Sequence, residues 1–94
     1  RAQRRYLKLR DKGCVFVGCT RPAEWTQAHH IRHWIDLGPT NIANLCLLCA
    51  EHHRLIHHSE WDIIMAPDGH PECVPPKFID PQQTPRRNYA HHHL

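Results

Sequence analysis

Apolar and polar positions alternate along this chain in short blocks, and each block predicts a short element. Residues 2–11 carry Ala2, Tyr6 and Leu9 at i, i+4 and i+7, the narrow apolar stripe of a helix, with Gly13 placed to end it. Cys14 to Cys19 encloses Val-Phe-Val-Gly, a compact knuckle, and Arg21-Pro22 continues as loop. Trp25 to Ile31 reads as a strand carrying the pair His29-His30. Ile31 to Asn44, with Gly38-Pro39, is a loop, and a long loop in a small domain is often functional. Leu45-Cys46-Leu47-Leu48 is a short buried strand, and Cys49 to about His58 a helix with Glu51, Arg54 and His58 on one side. Trp61 to Met65 is a further strand, Asp68-Gly69 a hairpin turn, and His70 to Val74 the returning strand. From Pro75 the chain is proline-rich with Arg86-Arg87, an extended arm or disordered tail. The expected organisation is a compact α+β unit over 1–74 followed by a tail over 75–94, without internal repeats. The chain starts inside a helical pattern, so a longer parent protein is expected.

Composition narrows the class. Ninety-four residues, 40% of them hydrophobic, provide one thin core, and domains of this size commonly add disulfides or a metal. The chain has five cysteines and eleven histidines. An odd cysteine count without matched spacing argues against a secreted disulfide framework. No apolar run is long enough to span a bilayer, and no apolar stretch follows the basic N-terminus, so neither a membrane anchor nor a signal peptide is expected. The expectation is a cytoplasmic protein whose thiols are free to bind metal. The net charge of +3 is mild, but Arg1, Arg4, Arg5, Lys8, Arg10, Lys12 and Arg21 crowd one end. Such a stripe suits a polyanion, or is simply a solvated helix face.

Two soft-ligand pairs stand out. Cys14/Cys19 form C-x4-C and Cys49/His52 form C-x2-H. Zinc takes four N/S ligands in a tetrahedron, usually delivered as two close pairs. One ion would therefore pin the knuckle to the start of the helix. The alternative is a set of small buried thiols. Cys46, in an apolar strand, belongs to the core, and Cys73 has no assigned part. His53 and His57 lie four apart, on one helical face. At about 100° per residue that face looks roughly 90° away from Cys49 and His52. One metal cannot easily collect all four, but two neighbouring sites can. His29 and His30 occupy adjacent strand positions, which point to opposite faces. Either the backbone bends there, or one histidine binds metal and the other handles protons. His91-His92-His93 is assigned no function.

The run Ala28-His29-His30-Ile31, then Gly38-Pro39-Thr40, Asn44-Leu45 and Leu48-Cys49-Ala50-Glu51-His52-His53, resembles the motif of HNH endonucleases. The zinc pairs resemble those of the family's zinc-bearing branch. Leu9 to Trp61, about two-thirds of the chain, is similar to the HNH module at the C-terminus of many large actinobacterial proteins. The resemblance implies a small ββα-metal (His-Me finger) fold with a structural zinc, flanked by an N-terminal helix and a C-terminal hairpin and tail. It implies a metal-dependent DNA endonuclease that hydrolyses phosphodiester bonds. His30 matches the general base, Asn44 the residue bracing the loop, and His29, His53 and His57 the ligands of one catalytic divalent ion (Mg²⁺, Mn²⁺, Ni²⁺ or Zn²⁺). Arg32 and Arg54 flank the site as phosphate contacts. A single site cuts one strand, so a double-strand break implies a dimer or a second encounter. Two departures from the family pattern matter. His52 stands where the zinc helix usually offers a second cysteine, and His29 replaces the commoner Asp, making a softer site. A shifted register, with His53 serving the zinc as C-x3-H and His52 spare, stays open. So does a zinc-stabilised DNA-binding module without catalysis.

Overall fold

A computed structural model describes residues 2–31 and 42–91. Arg32 and the Gly38-Pro39-Thr40 stretch lie outside these described residues. The elements are helix α1 (Ala2–Asp11), strand β1 (Thr26–His30), strand β2 (Leu45–Cys49), helix α2 (Ala50–His58) and strands β3 (Asp62–Met65) and β4 (Pro71–Val74). Short 3₁₀ turns at Ala23–Trp25 and Ile42–Asn44 lead into β1 and β2. Among the described residues the architecture is α+β, with two helices and two small antiparallel sheets.

β2 organises the whole. All five of its residues are buried, as its unbroken apolar run requires. Alternate residues face opposite sides of a strand, so β2 serves two cores. Leu45 and Leu47 pack with Leu7 of α1 and with Ala23. Cys46, Leu48 and Cys49 pack with Cys14, Val15, Cys19, Ile63 and Cys73. Cys73, to which the sequence assigned no part, is thus fully buried core. β1 pairs antiparallel with β2, placing His29 opposite Cys46 and His30 opposite Leu45. The Ile31 amide donates to the Asn44 carbonyl (2.8 Å), extending the ladder by one rung. α2 follows β2 without a break, so β1, β2 and α2 form a consecutive ββα unit. β3 and β4 pair through Ile63–Cys73 and Ile64–Glu72. Gly69 supplies the left-handed residue of their turn (φ 87°).

Two features of α1 depart from the periodicity. Tyr6 and Leu9 are exposed, and the inward face is Leu7 and Asp11. The cause is a buried ion pair occupying the position an apolar side chain would normally fill. Arg10 Nε donates to Asp11 Oδ1 (2.6 Å), Arg10 Nη2 and Nη1 donate to the carbonyls of Leu45 (2.6 Å) and Ile42 (2.8 Å), and Asp11 Oδ2 accepts from the Leu47 amide (3.1 Å). Second, the left-handed residue after the helix is Lys12 (φ 66°), not Gly13. Gly13 is needed for close approach instead: a Cβ there would lie 2.5 Å from the Arg21 carbonyl oxygen and would collide with the His91 ring.

The segment after β4 runs back along the molecule. Pro75 and Pro76 are buried. Cys73 and Arg86 exchange backbone hydrogen bonds in both directions (2.7 and 2.8 Å). Arg87 reaches Asp68 with two parallel bonds (2.8 Å each) and Glu72 (2.9 Å). Asn88 is buried against the knuckle. Among the described residues no helix is long and apolar enough to cross a membrane.

Candidate metal centres

The knuckle hangs on β2: the Val15 amide donates to Leu47 O (2.9 Å), the Cys14 amide to Arg21 O (3.1 Å), and the Cys19 amide to Phe16 O (3.0 Å). Cys49, the last residue of β2, is extended (φ −71°, ψ 165°) and immediately precedes α2. The first turn of α2 then brings His52 back over it. The ligand atoms of Cys14, Cys19, Cys49 and His52 all lie within 4.8 Å of one another. His52 Nδ1 is 3.2 Å from Cys49 Sγ and 3.5 Å from Cys14 Sγ. A tetrahedral ion at ordinary Zn–S and Zn–N lengths would hold such pairs about 3.5–3.8 Å apart, so the donor set fits zinc in both chemistry and size. All five cysteines are free thiols. The Phe16 ring stacks on His52 (centroids 4.3 Å, planes 8° apart) and meets Trp61 edge-on (4.9 Å). These rings hold the imidazole in its orientation.

The electrostatics of the cluster follow from its surroundings. Burial raises the Cys14 thiol well above its ordinary range. At Cys49 burial also pushes upward, but the His52 backbone amide and the Arg21 guanidinium outweigh it and lower the thiol below its usual value. Arg21 Nη1 sits 3.2 Å from Cys49 Sγ while its Nη2 pairs with Glu51 (2.7 Å). Three thiolates and a neutral imidazole around Zn²⁺ leave one net negative charge, and Arg21 is the cation beside it. Burial lowers His52, favouring the neutral ring that ligates metal.

A second cluster lies on the adjoining face of α2. His29 from β1 and His53 and His57 from α2 bring ring nitrogens within 4.8 Å of one another. Their ring centroids are 5.1 Å (His29–His53), 5.6 Å (His29–His57) and 4.6 Å (His53–His57) apart. His29 is buried, His53 half-buried and His57 exposed, so the cluster opens outward. Burial, with the neighbouring His57, lowers His53 and keeps it in its ligating form. Three imidazoles without a carboxylate fit a borderline transition ion better than Mg²⁺. The helix turns His52 to the thiols and His53 to the histidines, which separates the two sets.

The remaining expected site residues fall around these clusters. His30 is half-buried beside His29 on β1. Asn44 is buried at the foot of β2. Arg54 is exposed on α2, next to His53. Of the basic residues on α1, Arg4 donates to the Ala23 and Thr26 carbonyls (2.8 and 3.0 Å) and Arg10 is buried in its pair. Arg5, Lys8 and Lys12 stay exposed. Sequence reasoning missed Phe16 and Asn88, and counted Arg21 only in the basic stripe rather than beside the thiols. Arg21 lies two residues beyond the C-x4-C pair, which was the available signal; Asn88 had none.

Residues 14–59 match the family described as HNH endonuclease. The chain is 36% identical over 91 residues to an uncharacterized protein of Mycobacterium bovis and, equally, to one of Mycobacterium tuberculosis, covering 97% of this chain and 20% of each relative. A further uncharacterized Mycobacterium tuberculosis protein is 33% identical over 89 residues, covering 95% of this chain and 20% of the relative. The chain thus spans about a fifth of the length of the curated relatives it matches. No solved structure matches it. The matched stretch runs from the knuckle through both ligand clusters to the end of α2, and by it the chain belongs to the HNH endonuclease family.

Proposed function

We propose that this domain is a metal-dependent DNA endonuclease that hydrolyses phosphodiester bonds. The observation that carries the reading is the pair of ligand clusters on adjoining faces of α2, with His30 next to the outward-opening one. Cys14, Cys19, Cys49 and His52 hold a structural zinc. His29, His53 and His57 hold one divalent ion, which when bound polarises a phosphate oxygen and offsets charge on the leaving oxygen. His30 takes the proton from the attacking water, a role histidine suits near neutral pH. Asn44, buried immediately before β2, braces the segment that carries His30. Arg54 and Arg32 contact phosphates, and the exposed Arg5, Lys8 and Lys12 add salt-dependent, sequence-blind affinity. One such site cuts one strand, so a double-strand break requires a second copy or a second encounter.

The test is nicking of supercoiled plasmid across Mg²⁺, Mn²⁺, Ni²⁺ and Zn²⁺, comparing wild type, His30→Ala and His53→Ala after bound zinc is measured. Loss of the base lowers the rate on the order of 10²–10⁴-fold. His30→Ala cutting at the wild-type rate rejects the base assignment. Salt-sensitive DNA retention without nicking under any of these ions identifies a zinc-stabilised binding module instead.

A further inference from the structure

We propose that Asn88 is a positioning residue for the zinc knuckle, so that the C-terminal arm completes a metal site whose ligands all lie before residue 53. The inference rests on the zinc reading above. Asn88 Nδ2 donates to the carbonyls of both knuckle cysteines, Cys14 (2.8 Å) and Cys19 (2.9 Å). Its Oδ1 accepts from the Gly18 amide (3.2 Å) and, within the arm, from the Ala90 amide (3.0 Å). A carboxamide carries two donors and one acceptor oxygen with two lone pairs, and here every one is used. Three of these four bonds go to the loop that presents Cys14 and Cys19, across 74, 69 and 70 residues of sequence. The side chain is buried, with only 6% of the residue exposed, so water cannot easily replace these partners.

The arm delivers Asn88 from a fixed anchor. Arg86 is paired through its backbone to Cys73, and Arg87 is held by Asp68 and Glu72. Beyond Asn88, His91 Nε2 lies 3.2 Å from the Cys14 carbonyl oxygen. At the tip of the knuckle Gly18 takes φ 83°, inside the turn closed by the Cys19 amide and the Phe16 carbonyl. A four-residue spacer between two ligands has many conformations that separate the sulfurs, and Asn88 selects the one that converges them. Partners of this kind, which touch the ligand residues and not the metal, typically change metal affinity roughly 10–100-fold when removed.

The test uses the zinc-loaded protein and reads zinc transfer to a coloured chelator, beside the thiolate charge-transfer band of the Co²⁺-substituted form. Asn88→Asp keeps size and shape but loses both donors. It should release zinc roughly 10–100-fold faster and shift the Co²⁺ band. Arg87→Gln removes one of the two anchors that deliver Asn88 and keeps the other, the Arg86–Cys73 backbone pair. It should lower thermal stability and speed zinc release clearly less than Asn88→Asp does. If Asn88→Asp does not fold, Asn88→Ser retains one donor and should release at an intermediate rate. Wild-type release rates in the Asn88 variants, or equal acceleration by Arg87→Gln, overturn the inference. A wild-type protein that binds no zinc overturns it together with the zinc assignment.

Discussion

The imidazoles of His29 and His53 meet edge-on, centroids 5.1 Å apart and planes 81° apart, though one stands on β1 and the other on α2. The register that sets His29 opposite Cys46 and the direct passage of β2 into α2 together fix this approach. It brings His57 in as the third ring, one helical turn later.

The metal stoichiometry follows from this geometry. Wild type should bind two equivalents of Co²⁺ or Zn²⁺, one tightly at the thiols and one more weakly at the histidines. His53→Ala should bind only the first, with the thiolate charge-transfer band unchanged. Calorimetric titration separates the two events. Two full equivalents in His53→Ala, at wild-type affinity, would show that the three rings do not share an ion.

The buried pair on α1 sets a large stability term. Asp11 has no exposed side-chain surface and Arg10 only 6%. Together they satisfy the Leu47 amide and the Ile42 and Leu45 carbonyls. Asp11→Ala leaves the guanidinium buried without its counter-charge, and breaking such a pair costs about 3–5 kcal/mol. That is a large share of the roughly 5–15 kcal/mol of a typical domain. Urea unfolding should show the midpoint falling steeply in Asp11→Ala, and an unchanged midpoint would mean that the pair is not closed in solution.

These examples also show what could be read from the residues alone. The ββα unit was legible because Leu45 to Cys49 is an apolar run too short for a helix, and the spacings Cys49–His52 and His53–His57 are local. Helical rotation alone separates those two faces. The face of α1 was not legible, because periodicity counts Tyr6 and Leu9 as core and has no means of choosing a charged pair over them. The packing of the arm was not legible either. A proline-rich run reads as extended, but nothing within it says that Pro75 and Pro76 are buried or that Asn88 finds partners some 70 residues away. Contacts that distant leave no periodic trace.

Lys12 and Gly13 should respond in opposite ways to the loss and the gain of a Cβ. Lys12 occupies left-handed backbone (φ 66°), which costs a residue with a Cβ about 1–2 kcal/mol. Lys12→Gly removes that cost, at some loss of unfolded-state restriction, and should raise the melting temperature by a few degrees. Gly13→Ala drives a Cβ to 2.5 Å from the Arg21 carbonyl oxygen. That oxygen receives the Cys14 amide, so relief of the clash moves a zinc ligand. Overpacking of this kind costs about 1–3 kcal/mol. Gly13→Ala should therefore melt lower and hold zinc less well. Thermal melts with and without chelator compare the two, and a destabilised Lys12→Gly would refute the reading of the helix end.

The arm's attachment should weaken in acid through Asp68. The bidentate bond from Arg87 holds the Asp68 carboxyl below its ordinary value of 3.8, with the His70 amide adding to the effect. Asp80 is likewise lowered, chiefly by the Thr84 amide, against an opposing effect of burial. A carboxyl whose folded-state value is depressed stabilises the fold above its unfolded value, and that contribution fades as pH falls through the folded one. The window thus opens near 3.8 and extends downward. Asp68 is exposed and Asp80 only half-buried, so the effect is modest and screened by salt. Asp68→Asn should lower the melting temperature slightly at neutral pH and flatten its dependence on pH between about 5 and 2. Identical slopes for the variant and wild type would show that Arg87 does not depend on the Asp68 charge to anchor the arm.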